Sequence, residues 1–320
     1  MEQMQMPALV ETMAFFGEVP WHGLGTPLEE TDLYDWQQAC IKSGLDWEVE
    51  LTPLVTADTQ AKVTHRAVRR KSDQRILGVV GPRFCVLQNK DAFKWFDPFL
   101  QAREAALNTA GALCEGSRIW VLAKMNRDPL VIVPGDEVDK FVLLSHGHDG
   151  SLAVRVGFTP IRVVCANTLA LAHGSDASKL IRIKHSASVM ENLENIREIM
   201  NVANAEFEAT AEQYRLLARK NINQHDLRAY VKRVLKVDNQ TKISTRTMNM
   251  IDQIIGLCEA GKGNTLPSIK NTYWSSYNGV SEWLGYQRGT SQANRLNSLW
   301  FGDSANMNKH ALETALAMAA

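Results

Sequence analysis

His146-Gly147-His148-Asp149 is the run in this chain with the densest chemistry: two imidazoles and a carboxylate within four residues. Metal hydrolases begin ligand sets this way, but they complete them with further histidines at matched spacing. His173 and His185 stand at no such spacing. Asp149-Gly150 is also ordinary turn chemistry between two strands. The run is therefore read as a turn. Metal-dependent cleavage of nucleic acid on His146, His148 and Asp149 remains a third alternative, and no metal ligand is assigned. Gly23-Leu24-Gly25-Thr26 is half of a phosphate-binding fingerprint, yet no strand precedes it, the third glycine is missing and Pro27 obstructs a smooth helix entry. The loop Gly261-Lys262-Gly263-Asn264-Thr265 fails the P-loop spacing. Cys165 near Arg162 could be an activated thiolate, but with Val163 and Val164 beside it the thiol reads as a small buried hydrophobe. No Walker lysine, no G-x-S-x-G elbow and no HExxH occurs. The chain is read as non-enzymatic, with no catalytic residue and no cofactor.

Cations placed on strands are the better signal. Arg155, Arg162, Lys179, Arg182, Lys184 and His185 fall within residues 155–185 against one acid, Asp176. Residues two apart on a strand share a face, so Arg182 and Lys184 project together with Ile181 and Ile183 behind them. The run 62–70 adds Arg66, Arg69 and Arg70. Such a row can follow a phosphodiester backbone, each contact adding counterion release; a solvated strand face has the same pattern. Trp21, Trp95, Trp120 and Phe158 are aromatics able to stack on bases. Tyr273, Tyr277, Val280 and Leu284 recur at helical spacing, flanked by Trp274 and Trp283, and are read as a packed helix face.

The elements that would position these residues follow from pattern and composition. The chain has 320 residues, 45% apolar and 22% charged, an ordinary globular balance. That length buries a sizeable core without disulfide staples. The 35 basic side chains equal the 35 acidic ones, so the whole chain carries no commitment to nucleic acid or membrane. The charge is nevertheless blocked. Residues 1–61 hold eleven acids and one base, 62–94 nine bases and two acids, 189–213 six glutamates and Arg197, and 214–246 nine bases against Asp226 and Asp238. Such blocks pair within the fold, pair between subunits, or present a basic face to an anion. Five scattered cysteines without a CxxC pair argue for a reducing compartment. No export signal and no apolar run near ~20 residues is present, so no membrane is expected.

Stretches 47–56, 62–70, 75–80 and 83–87 read as an antiparallel meander, with Gly81-Pro82 as a turn. Asn89 is expected to cap a helix running to about 104. A strand pair follows at 117–125 and 129–133, then two hairpin-like strands, 139–146 and 151–165, joined by His-Asp-Gly. A helix is expected to start near Asn167. From about 188 the pattern is helical: 189–220, 224–236, 244–260, 272–286, 291–300 and 306–318. The expected fold is α+β, with an antiparallel sheet and a packed helix in residues 1–187 and an all-helical region in 188–320.

Five segments, PWHGLGTPL (20–28), GSRIWVLAKM (116–125), HDGSLAVRVGFTPIRVVCANTLALA (148–172), NTYWSSYNGVSEWLGYQRG (271–289) and RLNSLWFGDSANMNKHALETAL (295–316), resemble the phage/plasmid-like proteins with an LGT signature. That is a domain-of-unknown-function family of phages, prophages and plasmids. The resemblance runs from Pro20 to about Leu316. His146 departs from a more usual small or polar residue before the turn, and Gly285-Tyr286 from an acidic-aromatic ending. The resemblance implies a mobile element, a bacterial cytoplasm and no established catalytic residue. The chain is more remotely similar to RecT and Redβ-type single-strand annealing proteins, which implies rings or filaments holding single-stranded DNA in a basic groove without metal or nucleotide. The expectation is a homo-oligomeric protein that binds single-stranded DNA and promotes annealing and recombination, with Arg66, Arg69, Arg70, Arg155, Arg162, Arg182 and Lys184 on phosphates. The alternative is a protein-binding module that inhibits or recruits a host factor, or meets a host or phage replication protein, through the acidic first 61 residues.

Overall fold

The computed structural model of the chain describes residues 12–17, 25–126, 128–162, 167–168, 181–238, 242–289, 295, 298–299 and 302–320. The fold is α+β, with the helices gathered in the C-terminal half. Contacts divide it into two units, neither of them a continuous stretch. Unit 1 takes 1–126, 143–156 and 181–197, and unit 2 takes 127–142, 157–180 and 198–320. Residue 187 therefore marks where helices take over from strands, not the edge of a unit.

In unit 1 the expected meander is present as β3 (Val49–Val55), β4 (Lys62–Arg70) and β5 (Ile76–Val80), paired antiparallel in that order. Val49, Val68 and Val80 form its buried core, with Trp47, Leu51, Leu77, Phe84 and Val86 packed against them. Residues 83–87 form no strand. The first two charge blocks meet here. Glu48 accepts from Lys71 at 2.9 Å and Lys90 at 2.5 Å, and Glu50 lies opposite Arg69 in the β3–β4 register. A second set of strands comprises β1 (Met13–Phe15), β2 (Thr26–Pro27), β6 (Ala105–Leu113) and β7 (Arg118–Met125). It continues with β9 (Asp136–Gly147) and β10 (Val154–Arg162), both divided between the units, and with β12 (Ile181–Ile183) on β10. β1 pairs β6, β6 pairs β7 and β10 pairs β12 antiparallel, while β1 with β2 is parallel.

The single helix expected over 89–104 is two, α2 (Asn89–Lys94) and α3 (Asp97–Gln101), with Pro98 at the start of the second. Pro98 has no amide hydrogen to donate to the Lys94 carbonyl four residues back, so the first helix stops at Lys94. Asn89 does not cap; Gln88 holds that position. The Asn89 amide instead donates to the Leu45 and Trp47 carbonyls, fixing its oxygen toward His148. Asn167–Thr168 is a short strand, β11, and the rest of the helix expected there lies outside the described residues, as does most of 291–300.

Unit 2 holds β8 (Leu130–Val133), paired with the start of β9 rather than with β7, and β11 on the end of β10. Its helices are the C-terminal part of α4 (Val189–Arg219), α5 (Gln224–Val234), α6 (Thr245–Ala260), α7 (Tyr273–Glu282) and α8 (Asp303–Ala319). The aromatic stripe lies on α7, which is buried on every side from Tyr273 to Ser281. Thr272 and Ser275 form a capping box at its N-terminus. Trp274 packs on Tyr214 at 4.8 Å and its indole donates to Asp136 Oδ2 at 2.7 Å. A Cβ at Gly279 would lie 2.5 Å from the Cys258 nitrogen, so that glycine permits the α6–α7 approach.

Candidate anion-binding site

The hairpin between β9 and β10 organises the site in unit 1. Asp149 accepts from the Ser151 amide at 2.9 Å and the Ser151 hydroxyl at 2.7 Å, and Gly150 takes the left-handed φ of +75° that such a turn needs. Gly78 of β5 lies against it: a Cβ there would collide with Asp149 Cα. The His-Asp-Gly run is thus a turn, as its chemistry suggested.

Three arginines converge beside that turn. Arg155 on β10 is the direct antiparallel partner of Arg182 on β12. Arg118, on the first residue of β7, donates to Ser151 Oγ at 3.2 Å and stands 4.0 Å from Asp149 Oδ2. Arg155 is half-buried; burial lowers its pKa from the usual value, and the charges of Arg182 and Arg118 lower it further. Arg182 is exposed, and so is Lys184 two residues along. Like charges directly opposite across a ladder destabilise a sheet. Asp149 lies at 4.0 Å from Arg118, and the turn already draws on its oxygens. The arrangement has the electrostatics of a site for an anion, with guanidinium forks suited to bidentate contact.

The structure separates the other predicted residues from this group. Arg66 donates to the Pro82 and Phe84 carbonyls at 2.9 and 3.0 Å, tying down the loop after β5. Arg69 places Nε and Nη2 on Glu50 Oε1 at 3.0 and 2.6 Å. Arg70 is buried, lies over the Trp47 ring at 4.9 Å, and bonds Asp73 through Nε at 2.9 Å and Nη2 at 2.8 Å. These three hold the meander and its loops together. The Arg162 side chain, Lys179, Cys165 and the Gly23-Leu24 half of the glycine pair lie outside the described residues. Arg118 was missed by sequence reasoning, because its place beside Arg155 depends on β9 lying between β7 and β10. Of the quoted aromatics, Trp95 and Trp120 are buried, as is Phe158 of unit 2, so none of the three is a free stacking face.

Beneath the turn lie three imidazoles. His146 lies on β9, His148 just past its end, and His185 follows β12; the rings of His146 and His148 are 4.9 Å apart edge to face, those of His146 and His185 6.2 Å. The Asn89 oxygen accepts from His148 Nε2 at 2.9 Å, and the Cys85 carbonyl accepts from His185 Nδ1 at 3.1 Å. Those partners set the neutral tautomers. Burial pushes His146 well below its ordinary pKa and His148 down to about 3, and lowers His185 as well. His185 also stacks on Phe84 at 4.5 Å. Among the described residues no three His, Cys, Asp or Glu side chains are placed to hold a metal ion. These histidines act as neutral packing under the arginine group. No described helix is long and apolar enough to cross a membrane.

One family model, Domain of unknown function (DUF932), matches residues 76–300, which include the arginines, the histidines and α4 to α7. No curated protein and no solved structure matches the chain.

Proposed function

The chain belongs to the family described as Domain of unknown function (DUF932), and for this member we propose a non-enzymatic role in binding single-stranded DNA through Arg118, Arg155, Arg182 and Lys184. The observation that carries the reading is the Arg155–Arg182 pair, two cations set opposite each other on adjacent strands. A phosphodiester backbone laid along β10 and β12 would meet both guanidinium groups and release its own counterions. Arg182 and Lys184 are the exposed contacts, and Arg155 and Arg118 stand behind them at the turn. Side chains of this kind contact phosphates and carry little sequence information.

Annealing and assembly into a homo-oligomer in a bacterial host are extensions that rest on the resemblance to mobile-element annealing proteins. The host-factor alternative relied on the acidic N-terminal stretch. Within unit 1, Asp32 is bonded to Lys42, Glu48 to Lys71 and Lys90, and Glu50 to Arg69, which leaves fewer acids for a recruiting surface.

Fluorescence anisotropy of a labelled single-stranded oligonucleotide, titrated with protein at several salt concentrations, tests the proposal. Arg155→Ala with Arg182→Ala is expected to flatten the log K against log salt slope by about 1.4, since a single-strand contact contributes about 0.7. An unchanged affinity and slope in that variant would remove the assignment. No binding by the unmodified protein would remove the function.

A further inference from the structure

The second basic block, residues 214–246, has no role in the site above, and the structure places its central part on one surface of unit 2. Helix α5 buries Leu227, Tyr230, Val231 and Val234 against the bundle, and the Tyr230 hydroxyl donates to the Ala311 carbonyl of α8 at 3.2 Å. The opposite side of α5 carries Arg228, Lys232 and Arg233, with Lys236 one turn further. Residues four apart on a helix lie on one side about 6 Å apart along the axis, so Arg228 and Lys232 are stacked on α5, and Lys236 follows just past its end. Two open grooves flank it. One, of about 370 Å³, runs beside Arg228, Lys232 and Arg233. The other, of about 600 Å³, lies between α5 and α8 and is lined by Arg233, Lys236 and His310. Arg233 and Asp238 border both grooves.

Three features point to what this surface takes. Arg228 pairs with Asp252 at 2.7 Å, but among the described residues Lys232, Arg233 and Lys236 have no ion pair, and Asp238 and Glu313 are the only carboxylates lining the grooves. Among the described residues the apolar lining is Ala229 and Ala317, which offer no pocket for the bulky side chain of a peptide partner's anchor. Lys236 sits just past the helix end with φ +57°, the left-handed position where glycine is favoured. The Val237 amide still bonds the Lys232 carbonyl at 2.9 Å, closing the helix end around it. A cation is thus held at a position where its side chain is conformationally disfavoured.

We propose that the α5–α8 surface is a second, separate site for a phosphodiester backbone, contacted by Lys232, Arg233 and Lys236. It extends the DNA-binding reading to unit 2 and rests on that reading for its ligand class. The match of charge and the absence of apolar anchors favour nucleic acid over an acidic protein surface.

The experiment uses the full chain, labelled single-stranded and duplex oligonucleotides, and three variants. Lys236→Gly relieves the left-handed strain while removing one cation. Its melting temperature is expected to be unchanged or higher, with DNA affinity about 5-fold weaker at 0.1 M salt and the slope flatter by about 0.7. Lys232→Ala with Arg233→Ala is expected to flatten it by about 1.4. The third variant is Arg155→Ala with Arg182→Ala. If that one weakens binding and the α5 variants do not, the second site is overturned and the first stands. If only the α5 variants weaken binding, the second site stands and the first is lost. Absence of binding by the unmodified protein overturns both. Displacement of the oligonucleotide by polyglutamate at equal charge concentration would overturn nucleic acid as the occupant.

Discussion

Acidification from pH 7 to 5.5 is expected to destabilise the protein through His146 and His148. Both are buried and held neutral, His148 with a folded-state pKa of about 3 and His146 far below its ordinary value. In the unfolded chain both take up protons near 6.5. A base whose folded pKa is depressed stabilises the fold in full above its unfolded pKa, and that stability is lost as pH falls through it. For His148 this costs about 1.3 kcal/mol between pH 7 and 5.5, with His146 and His185 adding in the same direction. Against a total of roughly 5–15 kcal/mol this is a large share. The acids whose pKa is lowered in the fold, Asp32, Asp58, Asp73 and Glu48, lose their stabilisation only as pH falls below the ordinary carboxylate range, so this window isolates the imidazoles. The assay is urea unfolding followed by tryptophan fluorescence, with Trp47 a reporter 5.5 Å from the His148 ring. His146→Leu is expected to remove about one proton from the uptake on unfolding at pH 5.5. A free energy of unfolding that stays level between pH 7 and 5.5 would refute the buried, neutral assignment. So would a pH slope that His146→Leu leaves unchanged.

Other expectations follow from single contacts. Gly78→Ala drives a methyl into Asp149 and is expected to cost about 1–3 kcal/mol as overpacking, read in the same denaturation assay. Gly279→Ala likewise meets backbone, that of Cys258, so a comparable loss is expected, with no effect on DNA affinity. Trp274→Phe removes the buried indole bond to Asp136 and should lower stability by about 1–3 kcal/mol, seen as a reduced melting temperature. Arg69→Ala breaks a half-exposed pair with Glu50; a loss of at most about 1 kcal/mol with an unchanged salt slope of DNA binding would confirm its structural role.

Local pattern was enough for much of this molecule. Alternation over 62–70, the Asp-Gly turn at 149–150 and the helical periodicities from 189 onward depend on neighbours in the chain, and they reappear as β4, the β9–β10 hairpin and α4 to α8. The strand β6 did not show, because Ala105–Leu113 is poor in β-branched residues; it is a strand because β1 and β7 pair with it on both sides. The helix over 89–104 broke where Pro98 intervened, and Asn89 left its cap for a partner some sixty residues away, His148, which no window of sequence contains. The arginines divide in the same way. Their number and alternation marked a cationic chain, but a guanidinium looks identical in sequence whether it meets Glu50, lies on Trp47 or faces another arginine. Strand order settled that: β4 lies against β3 with its acids, whereas β10 lies against β12 with a cation opposite. Charge is a property of the residue, and the partner that neutralises it is a property of the fold.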